Sequence, residues 1–413
     1  MRQILLPVAL VAFLFSCKKN SEEAKPEPIE NNKAVSWIKT FGGSEYDFTN
    51  SIVQLSGGDY VMAGATRSVD GDITGNRVGF DSWVAKVDAG GNKVWSKTFG
   101  ANNDDYANAV TSCPDGGFIV TGYTFLNNQN FAWALKTDAY GTQVWQKNLN
   151  PSVNSKPFAI LPAGDGTYLV VGYTTEASQD GWVTKIDVNG NIAWTKIYGG
   201  TGEDYLTSII KVNDGFVLTG YSNSTDAQLR TQGSFDGWIL KVDESGNKLW
   251  SNTFGGSDED YLKSIVASGD GGYLAAGYSK SKNGDIPKNQ GGYDEWVIKV
   301  DASGNKQWVK TFGGWNEEYI TNIVSTGDGS FITVGYTNST TGDVYRVNND
   351  FGGWMIKIDG NGNKTAASTY GTDRLDDFTN TLIKTQDGGY MMGGYTFVNG
   401  KGYDGWLVKI DRL

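Results

Sequence analysis

The segment W-x-x-K-x-D occurs seven times in this chain, starting at Trp83, Trp133, Trp182, Trp238, Trp296, Trp354 and Trp406. Within each copy successive residues point to opposite faces of an extended strand, so Trp and the residue two places on share one face while Lys and the residue two before it share the other. Six copies run into a turn of the form D-x-x-G-N or close to it, whose Asp, Gly and Asn supply the side-chain acceptors and positive backbone angles of a tight hairpin. A second strand then carries Trp95, Trp145, Trp194, Trp250 or Trp308, always twelve residues after the first Trp; the sixth copy, "KTAASTYG", lacks it. Before each W-x-x-K-x-D lie two more strands, such as "SIVAS" and "YLAAGYS", separated by turns such as "GDGG". The second of these ends near Gly64, Gly122, Gly172, Gly220, Gly277, Gly335 or Gly394, where a strand glycine signals a bulge or close backbone approach. Four strands recurring about every 50 residues predict an all-β, seven-bladed β-propeller. The strand around Trp37 completes the blade whose other three strands end the chain, which closes the ring and leaves no open edge.

Composition supports this and excludes several functions. There are 56 Gly and 8 Pro in 413 residues, aromatics make up 13%, and no helical apolar period persists beyond the first twenty positions. The net charge of -11 argues against nucleic acid, whose phosphates need clustered Lys and Arg. No histidine is present, so Ser-His-Asp and Cys-His catalysis are excluded. The two cysteines are Cys17 and Cys113. With Cys17 expected to carry a lipid, no intramolecular disulfide is expected.

That leader, "MRQILLPVALVAFLFSC", has one basic residue and an apolar run from Ile4 to Phe15 that is too short to span a bilayer, which predicts a signal peptide over 1–16. Leu14-Phe15-Ser16-Cys17 resembles the lipobox of bacterial lipoproteins, which implies a lipidated Cys17. Residues 17–35 are polar and charged with two prolines, as in a flexible tether, and the propeller occupies 36–413. Ser21-Glu22-Glu23 resembles the export signal of surface lipoproteins in the Bacteroidetes. The motif V-D-x-S-G-N-K-x-W is similar to the tryptophan-docking repeat of quinoprotein-dehydrogenase-like propellers, and the whole unit resembles bacterial extracellular propeller repeats. These resemblances imply a propeller lipid-anchored at the outer membrane or cell surface, and a monomer is expected.

Within the repeat, the loop before each inner strand carries an acid followed by an aromatic: Asp47, Asp105, Asp204, Asp260, Glu318 and Asp377, with none in blade 3. One reading is an acidic rim facing cations or basic groups; the other is that each acid caps backbone amides or pairs with a recurring Lys. No organic cofactor is expected. "VDGDITGN" spaces Asp70, Asp72 and Asn76 as a calcium loop does, though without a distal Glu. The loops between second and third strands, expected to run from about seven to about seventeen residues, hold Arg67, Arg77, Arg230, Arg346 and Arg374, whose planar donors suit carboxylates and sugar hydroxyls. Trp315 and Tyr345 are unmatched in the other copies and offer stacking faces. These features predict a binding module for a glycan or an envelope protein. Alternatives are a lyase or glycoside hydrolase using rim carboxylates such as Asp260 and Glu318, or an assembly scaffold.

Overall fold

The computed structural model describes residues 35–411 except 78, 150, 151, 153, 177, 227, 228, 230, 345–349 and 372–375. Cys17 and the leader therefore lie outside the described residues. Strands run from β1 (Val35–Phe41) to β28 (Gly402–Ile410) and form seven separate four-stranded antiparallel sheets. Blade 1 is β2 (Asp47–Gln54), β3 (Tyr60–Thr66), β4 (Asp81–Val87) and β5 (Lys93–Phe99), and five more blades come after it in the same order. In blade 7 the order is β26 (Asp377–Lys384), β27 (Tyr390–Val398), β28, β1. The expected closure is therefore present, with Ile38 opposite Val408 and Phe41 opposite Gly405.

Two tryptophan series hold the blades together. The indoles of Trp83, Trp182, Trp238, Trp296, Trp354 and Trp406 are almost wholly buried. They lodge against the third strand of the preceding blade, where a Cβ on Gly181, Gly237 or Gly405 would stand within 3.0 Å of Trp238, Trp296 or Trp83. The second series covers the hairpin turn of the next blade: Trp37 lies over Gly91, Trp95 over Gly141, Trp194 over Gly246 and Trp308 over Gly362. Trp145 and Trp250 also donate from Nε1 to the carbonyls of Val188 and Ala302 in those turns, at 3.1 and 3.2 Å. This explains the sixth copy. Ala366 stands at the tryptophan position of blade 6, opposite Lys357, and blade 7 has no hairpin there to cover, because β28 and β1 are the two ends of the fold.

The strand glycines have one cause. Every inner strand carries a β-bulge, for example between Thr49 and Ser51. The bulge drives the preceding carbonyl, that of Phe48, into the space a Cβ on Gly64 would occupy. The recurring Lys does not pair with the acids of the inner-strand loops; it reaches the turn aspartate at the opposite end of its own blade, as in Lys136–Asp115 at 2.6 Å and Lys241–Asp214 at 2.8 Å. The loops between second and third strands also depart from expectation. In blades 2, 3 and 7 the strands lengthen to nine residues and only residues 127–128, 176–178 and 399–401 remain between them. Long loops remain in blades 1, 4, 5 and 6.

Closure by β1 covers the backbone edge of β28, which would otherwise template pairing with another chain. A chain beginning at residue 42 is expected to self-associate and to unfold at lower temperature than the intact propeller, as measured by light scattering and calorimetry.

Candidate functional site: the axial mouth

The six acids do not form an open rim. Asp47, Asp204, Asp260, Glu318 and Asp377 are fully buried and Asp105 is 4% exposed. Each pins its loop. Asp260 accepts from the backbone N–H of Gly256 at 2.6 Å, from Ser281 Oγ at 2.7 Å and from Ser279 Oγ. Asp47 accepts in the same way from Gly43, Ser68 and Thr66. Glu318 accepts from Gly314 and Thr337. In blade 3, Ser155 takes the acid's place and bonds Thr174 at 2.7 Å. Of the two readings of these acids, capping is the one the geometry supports, and a hydrolase built on Asp260 and Glu318 fails because substrate cannot reach them.

A second carboxylate faces five of the six pins across the first glycine of the loop; at Gly371 only Asp377 is met. At Gly255 a Cβ would meet Asp236 Oδ1 and Asp260 Oδ2 at 2.5 and 2.6 Å, which is why glycine stands there. The inward oxygens of Asp81, Asp236, Asp294 and Asp404 have no N–H or O–H partner. Burial, reinforced by the facing carboxylate, pushes Asp236 and Asp294 up to about 7 and Asp404 up to about 6. Glu295, at a seam position that is Gly181, Gly237 or Gly405 in other blades, is fully buried with neither oxygen hydrogen-bonded, and burial pushes it up to about 8.

These groups bind protons more tightly in the folded state, so their stabilisation is complete below the unfolded pKa near 4 and is lost as pH rises through 6 to 8. The exposed turn aspartates work oppositely: hydrogen bonds from Thr385 and then Lys409 hold Asp387 at about 2, so their smaller contribution is lost as pH falls toward 2. Thermal stability is expected to peak near pH 5 and to be lower at pH 8. Glu295→Gln should raise the melting temperature at pH 8 and change it little at pH 5.

The calcium candidates do not converge. Asp70 accepts from the Ser44 N–H, Asp72 pairs with Lys93 at 2.6 Å, and Asn76 donates its amide to the Ser68 carbonyl. Among the described residues no group of three or more acidic, His or Cys side chains is placed to hold a metal. Arg67 and Arg77 are exposed, and Arg77 donates to the Gly100 carbonyl at 2.8 Å. Trp315 is 75% exposed on the rim, outside the axial cavity. Arg230, Tyr345, Arg346 and Arg374 lie outside the described residues.

What the fold does bring together is a set of aromatic rings around the axis. The residue after a pinning acid, Tyr106, Tyr205, Tyr261, Tyr319 or Phe378, packs on a tyrosine at the end of the second strand of its own blade, as in Tyr106–Tyr123 at 5.0 Å and Phe378–Tyr395 at 4.8 Å between ring centroids, while Phe48 packs on Tyr395 of blade 7 at 4.9 Å. Contacts then pass from blade to blade, for example Tyr221–Tyr261 at 4.8 Å and Tyr336–Phe378 at 4.9 Å. Below this collar, the bulge residue of five of the seven inner strands bonds to the inner strand of the next blade: Asn50 to Ala107 O, Asn108 to Pro157 O, Thr207 to Leu262 O, Thr321 to Thr379 O and Asn380 to Thr49 O.

Blades 3 and 5 break the pattern. Lys156 replaces the collar aromatic, opposite Tyr173, and Phe158 and Lys263 occupy the two remaining bulge positions. Lys156 Nζ lies 4.5 Å from the Tyr123 ring centroid and 5.6 Å from that of Phe158. Lys263 Nζ lies 5.3 Å from the Tyr221 centroid and 6.0 Å from that of Tyr278. Blade 1 has Ala65 where the others have the second tyrosine. An open cavity of about 450 Å³ occupies this side of the axis, lined by Phe48, Asn50, Tyr106, Asn108, Tyr123, Lys156, Phe158, Asn380 and Tyr395. Alignment of "SKPF" and "DYLKSI" with the other copies carries the signal for both lysines; attention to the outer loops passes over it.

Fold and mouth together define a seven-bladed β-propeller with an aromatic, lysine-bearing axial mouth. No described protein family matches the chain. Over 243 residues, 56% of this chain, it is 25% identical to the regulatory protein FlaEY of Caulobacter vibrioides, and the match spans 22% of that protein's length. Among solved structures, polysaccharide lyase Uly1 superposes with a TM-score of 0.52 at 9% identity, over 90% of each chain. Sqt1 from Chaetomium thermophilum gives 0.50 at 11% identity, over 91% of this chain and 100% of that one. A putative 6-phosphogluconolactonase from Bacteroides uniformis gives 0.50 at 10% identity, over 86% and 97%. At these identities the likeness is one of fold.

Proposed function

We propose that this protein is a carbohydrate-binding module of the cell envelope that receives its ligand at the axial mouth. The observation that carries this reading is the aromatic collar around an open cavity of about 450 Å³, a size typical of small-molecule sites. Sugar rings present apolar C–H faces that stack on phenol and phenyl rings, while Asn50 and Asn108 in the same lining, each using one amide hydrogen to bond the next blade, offer the second to hydroxyls. Catalysis is not part of the proposal, because the buried carboxylates serve the loops. Attachment by an acylated Cys17 is part of it, supported by the lipobox likeness of Leu14–Cys17. Cys17→Ser should abolish incorporation of a labelled fatty acid and release the protein from membranes.

The ligand site is tested by retention of residues 34–413 on a panel of immobilised polysaccharides. Tyr106→Ala is expected to weaken the retained interaction roughly tenfold, about 1.4 kcal/mol, while Trp315→Ala leaves it unchanged. The reverse result would move the site to the outer rim, where Trp315 stands exposed, and would favour a protein partner.

A further inference from the structure

The repeat prescribes an aromatic at the head of each inner strand and a short amide or hydroxyl at its bulge, and Lys156, Phe158 and Lys263 depart from both rules. The departures weaken the ring, because the bulge hydrogen bond is absent at the junctions from blade 3 to 4 and from blade 5 to 6. Residues that break a local rule without helping the fold are the ones to examine for function. Both lysines are half-buried, and neither makes an ion pair or a hydrogen bond among the described residues. Their ammonium groups meet ring faces. Burial, and then the charge of Lys156, pushes Lys263 down to about 8. Lys156 lines the cavity with no ion pair among the described residues, and Lys263 stands at the blade 5 bulge position against Tyr221 and Tyr278; an unpaired cation in a poorly solvated mouth is a site that an anion relieves.

We infer that the axial mouth takes the terminus of an anionic saccharide, its carboxylate or sulfate held by Lys156, its ring resting on the neighbouring tyrosines, and Lys263 adding positive charge further along the axis. This inference rests on the carbohydrate reading of the same mouth and names its ligand class. The outer mouth limits how much of the saccharide can enter behind that terminus. Asp104 and Asp376 stand there half-buried, fixed by the Phe80 N–H and the Phe351 N–H respectively. With the overall charge of -11, they repel the remainder of a polyanion, so binding is to a chain end and not along the chain.

The experiment uses galacturonate oligomers, sulfated dextran oligomers and neutral dextran oligomers of matched length, titrated calorimetrically into residues 34–413 and into the Lys156→Met/Lys263→Met double variant. An anionic oligomer is expected to bind at least tenfold more tightly than the neutral one, to weaken as salt is raised, and to lose at least tenfold in the double variant. Which anion binds distinguishes carboxylate from sulfate. The double variant is expected to melt no lower than the parent, since no ion pair is lost and two buried charges are removed. Equal affinity for neutral and anionic oligomers, unchanged in the variant, overturns the inference and leaves the carbohydrate reading standing. Absence of binding to all three by the parent protein overturns both.

Discussion

The structure depends on one contact repeated around the ring: the buried indole of each third strand pressed against the backbone of the preceding blade. Trp296 reaches so near Gly237 that any side chain there would collide. An indole is among the largest apolar surfaces a residue can bury, and close packing makes its partner as constrained as itself. Blades joined this way have a fixed separation, and the outer tryptophans then clamp each hairpin to its neighbour. At the single junction where the hairpin is replaced by chain ends, the clamp is replaced by Ala366. The residue pattern thus tracks the topology even where the repeat fails.

Fixed blades impose crowding nearer the axis, and the remaining features are responses to it. Bulges bend the inner strands, glycines admit the displaced carbonyls, and buried acids gather the loops by accepting several N–H and O–H bonds at once. The arrangement brings carboxylates together away from water, which shifts several of them toward neutrality. A ring of side-chain amides and hydroxyls stitches the inner strands together at five junctions. Against that regular background the two lysines, the phenylalanine and Ala65 stand out as a group on the axis. They offer charge, stacking area and space, where the other blades offer cohesion.

The fold was legible because repetition multiplies weak signals. One W-x-x-K-x-D says little; seven at a common spacing, with turn chemistry after them, specify strand count, order and closure. The site was less legible. Outer loops attract attention because they vary, yet Arg67 and Arg77 lie exposed there and Asp70, Asp72 and Asn76 turn to separate partners. Likewise the acid before each collar aromatic has the sequence appearance of a surface charge, whereas Asp260 and its counterparts are buried acceptors.

By itself, then, the sequence determined the all-β class, the seven blades and the way the ring closes, since these arise from local alternation, turn residues and their period. Only the tertiary structure decided which acids are buried, which glycines are obligatory and which residues meet on the axis. The reason is geometric: positions some fifty residues apart become neighbours only when the ring closes, and a bulge of one residue decides whether Lys263 faces the channel or the seam between blades.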